Sequence, residues 1–208
     1  LGYQAQTVSN QNIENLILQS IKRAESIIKP QGNYIRLEEI AINEDKVDLG
    51  AGQLKFISQD IADLLANQQQ VALLAVTVGP EIEAKVKELF ADDQLTKATI
   101  FDAIGSVAVE KLAEQLNQTI AQRAKEIGLP SLTMRYSPGY GDLGLEIQDQ
   151  LLNLVGGQDL GIETNDSHLL IPQKSITALI GLGETTSKVQ AKCDFNCGSC
   201  DYDKCLYQ

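Results

Sequence analysis

The chain has 208 residues, 43% of them hydrophobic and 22% charged, the mix of a globular protein long enough for one sizeable core. Its 28 acidic residues against 17 lysines and arginines give a formal net charge of -11, and no basic stripe interleaved with aromatics relieves it, which argues against a nucleic-acid partner. No apolar run reaches the roughly 18 residues of a membrane span, and residues 1–11 lack the basic start and apolar stretch of a signal peptide, so no membrane partner and a cytoplasmic location are expected.

From Ser9 to Ile28 the residues Ile13, Leu16, Ile17, Ile21, Ala24 and Ile28 recur at helical spacing, with Ser9 or Asn10 as cap and Pro30 as stop. Residues 34–43 (YIRLEEIAIN) mix alternation with β-branched side chains and read as one strand. Ser58 is suited to cap a short helix carrying Ile61, Leu64 and Leu65. Residues 71–78 (VALLAVTV) form an unbroken apolar run before Gly79-Pro80, the pattern of a central strand buried on both faces.

Pro80 suits a first helical position, Glu81 and Glu83 complement the N-terminal dipole, and Ile82, Val86, Leu89 and Phe90 mark the buried stripe. The longest helix is expected over Thr99 to Ile127, where Ile104, Ala108, Leu112, Leu116, Ile120 and Ala124 step by four until Gly128 and Pro130 end it. Gly105 and Ser106 inside it point to the close approach of another backbone. After a Gly/Pro-rich loop come a short helix over Ile147 to Val155 and three pieces (LGIETN, HLLIP, SITALIGL) that read as strands of a small sheet.

Two stretches carry chemistry. In RYSPGYGD, residues 135–142, Arg135 offers a planar fork of donors for a carboxylate, Gly139 and Gly141 permit close backbone approach, and Tyr136 and Tyr140 can cover a flat ring. A zwitterionic, ring-bearing ligand satisfies that set; an ordinary Gly/Pro turn around a structural arginine satisfies it equally. The other stretch, CDFNCGSCDYDKC, holds Cys193, Cys197, Cys200 and Cys205, all the cysteines of the chain. Four thiolates without histidine suit zinc or an iron-sulfur cluster, and two disulfides or free thiols are the remaining options. The three-cysteine motif of radical S-adenosylmethionine enzymes is superficially similar, but Cys205 supplies a fourth ligand.

Other features read blandly. Residues 181–188 (GLGETTSK) lack the second glycine that a phosphate loop carries before Lys-Ser/Thr. His168, the single histidine, reads as a strand residue, and the pairs Glu38-Glu39 and Asp92-Asp93 as solvated turns.

The R-x-x-P-G-Y loop, together with P-x-K-S-x-T-A at residues 172–178, LLAVTVGPEIE at 73–83 and DAIGSVAVEKLAE at 102–114, resembles the reactivation domain of cobalamin-dependent methionine synthase and its stand-alone bacterial relatives. The resemblance runs from the first residues to about Gly183 and divides the chain into a reactivation-like domain, 1–183, and a Cys-rich metal-binding tail, 184–208. It implies an α+β fold: a twisted antiparallel sheet flanked by helices.

It also implies S-adenosylmethionine as the ligand and a role as accessory protein in the reductive reactivation of a corrinoid. Arg135 then pairs with the methionine carboxylate, Tyr140 is the motif tyrosine, backbone groups around Tyr136 and Gly139 complete the pocket, and Gln122 stands where the family has a glutamate on its long helix. Cobalamin is expected only on a partner, a corrinoid protein or cobalamin-dependent methionine synthase, because no D-x-H-x-x-G segment is present. Reactivation consumes an electron, which places an iron-sulfur cluster ahead of zinc for the tail. The alternative is a metal-cluster electron-transfer or interaction module that kept the fold and lost methyl transfer.

Overall fold

The computed structural model describes residues 10–184. Four antiparallel strands form the central sheet: β1 (Gln31–Leu37), β5 (Gln70–Thr77), β9 (Ser175–Gly183) and β6 (Ser131–Leu132), in the order β1-β5-β9-β6. A meander of β2 (Ile40–Asn43), β3 (Lys46–Leu49) and β4 (Leu54–Ile57) forms a second sheet, and β7 (Glu163–Thr164) with β8 (Leu170–Ile171) a third. The helices are α1 (Gln11–Glu25), α2 (Gln59–Leu65), α3 (Glu81–Ala91), α4 (Leu95–Glu126) and α5 (Gln148–Val155). This is the expected α+β architecture.

Strand β5 explains the layering. Its side chains alternate, so Val71, Leu73 and Ala75 enter a core shared with α2, α5 and the meander, while Ala72, Leu74 and Val76 enter cores under α1, α3 and α4. Both faces are covered, and the run is apolar without a break for that reason. The sheet is the middle layer, with α4 on one face and α5 on the other.

Three expectations are corrected. The single strand over 34–43 is two strands in different sheets, broken at the exposed pair Glu38-Glu39. Adjacent solvated carboxylates are poor ladder residues, and the chain turns there. Of the three C-terminal pieces, only β7 and β8 form a small sheet; β9 enters the main one between β5 and β6, its residues buried from Thr177 to Gly183. His168 lies in the β7–β8 turn with φ +59, not in a strand.

Helix α4 begins four residues before Thr99, and its buried positions are Ala98, Ile100, Phe101, Gly105, Val109, Ala113, Ile120 and Ala124: Ile120 and Ala124 are as expected, while in the first half the buried residues fall one position after Ile104, Ala108 and Leu112, which are half-buried. It packs against α3 and α1 as well as the sheet, so its buried sector is wider than a single stripe. At Gly105 a Cβ would lie 3.3 Å from Ile82 Cδ1 and from the Lys174 stem, so what approaches closely is a pair of side chains and not the backbone expected there. The Gly181–Gly183 strip has a similar cause: the Gln68 side chain lies over it, with Cγ 2.6 Å from where a Gly181 Cβ would sit.

Candidate functional site

After β6 the chain continues along β9 without regular pairing. Thr133 donates its amide to Gly181 O (3.0 Å), and Tyr136 exchanges both main-chain bonds with Leu179 (3.0 and 2.9 Å). Extended residues alternate, so Arg135 and Tyr136 leave this edge on opposite faces of the sheet. Arg135 goes to the α4 face and Tyr136 to the α2 face.

On the α4 face, Arg135 Nη2 meets Glu110 Oε2 at 3.2 Å, with the arginine side chain 18% exposed and the glutamate 59%. The other terminal nitrogen, Nη1, is buried and has no hydrogen-bond partner among the described residues. Leaving a buried donor unmatched costs about 1–3 kcal/mol, more for a charged group. The fork is thus half engaged by Glu110 and half presented without an acceptor.

The same helix face carries a second cation lower down. Lys174 Nζ lies 2.7 Å from Asp102 Oδ1 and 2.9 Å from Ser106 Oγ. Asp102, Ser106 and Glu110 form one stripe, each a turn beyond the last.

On the other face, the loop is latched to the start of α2. Tyr136 donates its phenol to Asp60 Oδ2 (2.8 Å), and the Asp142 amide donates to the same oxygen (3.2 Å). Asp142 in turn accepts from Ser58 Oγ (2.5 Å) and from the amide of Gln59 (2.6 Å). Burial raises the Tyr136 phenol well above its ordinary range, and the bond to Asp60 and the charges of Asp60 and Asp142 add to this. For Asp142, desolvation works upward but is outweighed by the Ser58 hydroxyl and the amides of Gln59, Asp60 and Asp142 itself, so its carboxyl titrates below the ordinary value.

Gly139 (φ +90) and Gly141 (φ +51) make the bend between these two faces. A Cβ on Gly141 would overlap the Asp60 carboxylate and the Tyr136 hydroxyl. Tyr140, 49% exposed, stands at the outer lip of the loop.

No family model and no curated protein matches the sequence. A solved structure does match: the crystal structure of the MetH reactivation domain bound to AdoHcy, with a TM-score of 0.61 over 90% of this chain and 72% of that one, at 13% identity. The two share a fold. What that MetH domain and this chain have in common is thus the α+β framework expected from the sequence, seen here with the R-x-x-P-G-Y loop on the edge of its sheet.

Against that framework, the structure brings Arg135 together with Glu110, a residue that sequence reading did not select. A signal for it existed in the Asp102–Ser106–Glu110 spacing, polar residues one turn apart along one helix face. Gln122 is exposed and lies three turns past Glu110, about 18 Å of helical rise. No hydrogen bond joins it to Arg135 among the described residues. Arg135, Gly139 and Tyr140 share one loop, but the Tyr136 ring is turned to Asp60, and both its main-chain groups serve the sheet.

Cys193, Cys197, Cys200 and Cys205, with the iron-sulfur or zinc site expected of them, lie outside the described residues. Among the described residues no group of three or more His, Cys, Asp or Glu is placed to hold a metal ion, and no helix is long and apolar enough to cross a membrane.

Proposed function

We propose that this protein binds S-adenosylmethionine at the Arg135–Glu110 edge and presents its methyl group to a corrinoid held on a partner protein. The observation that carries this reading is the buried, unmatched Nη1 of Arg135 beside a carboxylate, on the sheet edge of a fold whose MetH counterpart was solved with AdoHcy. A sulfonium amino acid offers the complementary charges. Its carboxylate accepts from Arg135, and its ammonium and sulfonium are favoured by Glu110.

The chemistry belongs to the bound sulfonium. The carbon–sulfur bond breaks, the methyl carbon bonds to cobalt through the electron pair that a one-electron reduction completes, and S-adenosylhomocysteine leaves. A separate low-potential one-electron donor supplies that electron; if Cys193, Cys197, Cys200 and Cys205 hold an iron-sulfur cluster, their thiolates would be its ligands and the cluster would offer one-electron chemistry for a relay. Residues of the described chain bind and orient. The corrinoid partner is of the kind that cobalamin-dependent methionine synthases carry, and the Cys-rich segment from residue 184 onward acts as a unit apart from 1–183.

Calorimetric titration tests the pocket. S-adenosylmethionine binding should weaken by at least about 2 kcal/mol, or about thirtyfold, in Arg135→Ala. Unchanged affinity in that variant sinks the assignment.

A second reading, a module that kept the fold without methyl transfer, is favoured by one observation: Glu110 and Leu179 already engage the groups of Arg135 and Tyr136 that a ligand would use. Under it, S-adenosylmethionine leaves the melting temperature where it was.

A further inference from the structure

On the helical side of the molecule, α1, α3 and the start of α4 enclose a groove of about 280 Å³. Its apolar lining is Leu16, Leu89 and Phe101, with the buried Ser20 beside them, and Gln19, Gln94, Arg23, Lys85 and Lys97 complete it. None of the described residues lining it is acidic. In a chain with 28 acids against 17 lysines and arginines, a lining with cations and no acid, two of those cations outside any ion pair among the described residues, is a local excess of positive charge.

Two of the three cations are available. Arg23 and Lys97 are exposed and enter no ion pair among the described residues; Lys97 bonds to Gln94 Oε1 (2.8 Å), a neutral acceptor. Lys85 is paired with Glu88 at 2.5 Å. A carboxylate or sulfonate seated between Arg23 and Lys97 would be attracted by both, and an apolar body attached to it would cover Leu16, Leu89 and Phe101.

The volume limits the size of that body. At about 30 Å³ for each water-sized unit, the groove takes on the order of ten non-hydrogen atoms, at the small end of ligand sites. We propose that this groove is a binding site for a small organic monoanion with an apolar tail, a free molecule the size of a medium-chain carboxylate. It is separate from the Arg135 edge, since Glu110 lies roughly two and a half turns beyond Phe101 on α4.

Octanoate is the probe, titrated into the full chain by calorimetry with 1-octanol, octylammonium and butanoate as comparisons. Saturable one-to-one binding of octanoate is expected, at least tenfold tighter than any of the other three and weakened by added salt. The double variant Arg23→Glu, Lys97→Glu should lose at least tenfold in affinity while its melting temperature without ligand stays put, both side chains being exposed. Octanol or octylammonium binding as tightly as octanoate would overturn the proposal, as would unaltered affinity in the double variant. So would the absence of saturable binding below the concentration at which octanoate self-associates.

Discussion

Gly141 is the residue on which the loop's geometry turns. Its left-handed φ and the overlap that a Cβ would make with Asp60 and Tyr136 act in the same direction, so Gly141→Ala should destabilise the protein by about 2 kcal/mol. A shift of the urea midpoint at unchanged slope is the expected reading. Tyr136 adds a pH signature. Its phenol holds its proton above the ordinary value of 10.0, so above that pH the unfolded chain gives up a proton that the native one retains, and stability falls as pH rises. Tyr136→Phe should flatten this alkaline decline, measured as melting temperature against pH. Neither effect was legible in the sequence, because Asp60 meets the loop from 76 residues away.

Helix α2 has only seven residues, too few to be stable by propensity, and two side chains hold its start. Ser58 caps it locally, accepting from Ile61 N (3.0 Å), and Asp142 closes over the same turn from the distant loop. Ser58→Ala should cost about 1 kcal/mol, read from chemical denaturation. The acid limb follows from Asp142, and from Asp149, whose carboxyl is held below its ordinary value chiefly by the Thr164 hydroxyl and then by His168. In each case the unfolded chain takes up protons near 3.8 while the native one does so at lower pH, so their stabilisation is complete above that value and is lost as pH falls beneath it. Asp142→Asn should lower stability at neutral pH and shrink the difference from wild type as the solution is acidified. The Ser58 cap could be read from one residue type in front of an apolar run; Asp142 could not, since its role depends on a contact across the chain.

At the scale of the molecule, β5 joins the cores on both faces of the sheet. Leu73 and Leu74 are both fully buried, one on each face, and either change to Ala should cost about 2–5 kcal/mol. With the pair spaced to face opposite cores, the double variant should come close to the sum of the singles, measured by denaturation. If the Arg135 edge takes its ligand as proposed, S-adenosylmethionine should raise the melting temperature by mass action, and Arg135→Ala should abolish the rise.

Residue order and type determined much of this protein without any coordinates. The apolar run of β5, the capped α2, the long α4 and its Gly128-Pro130 stop, and the short α5 are local patterns whose physics is complete within a few residues. The R-x-x-P-G-Y loop was visible on the same terms. Where β9 would pair, which face Arg135 and Tyr136 would take, and that Glu110 would meet the guanidinium were decided only by the tertiary structure. Those outcomes rest on contacts between residues far apart in the chain, and no local preference encodes which distant partner satisfies a donor or covers a strand.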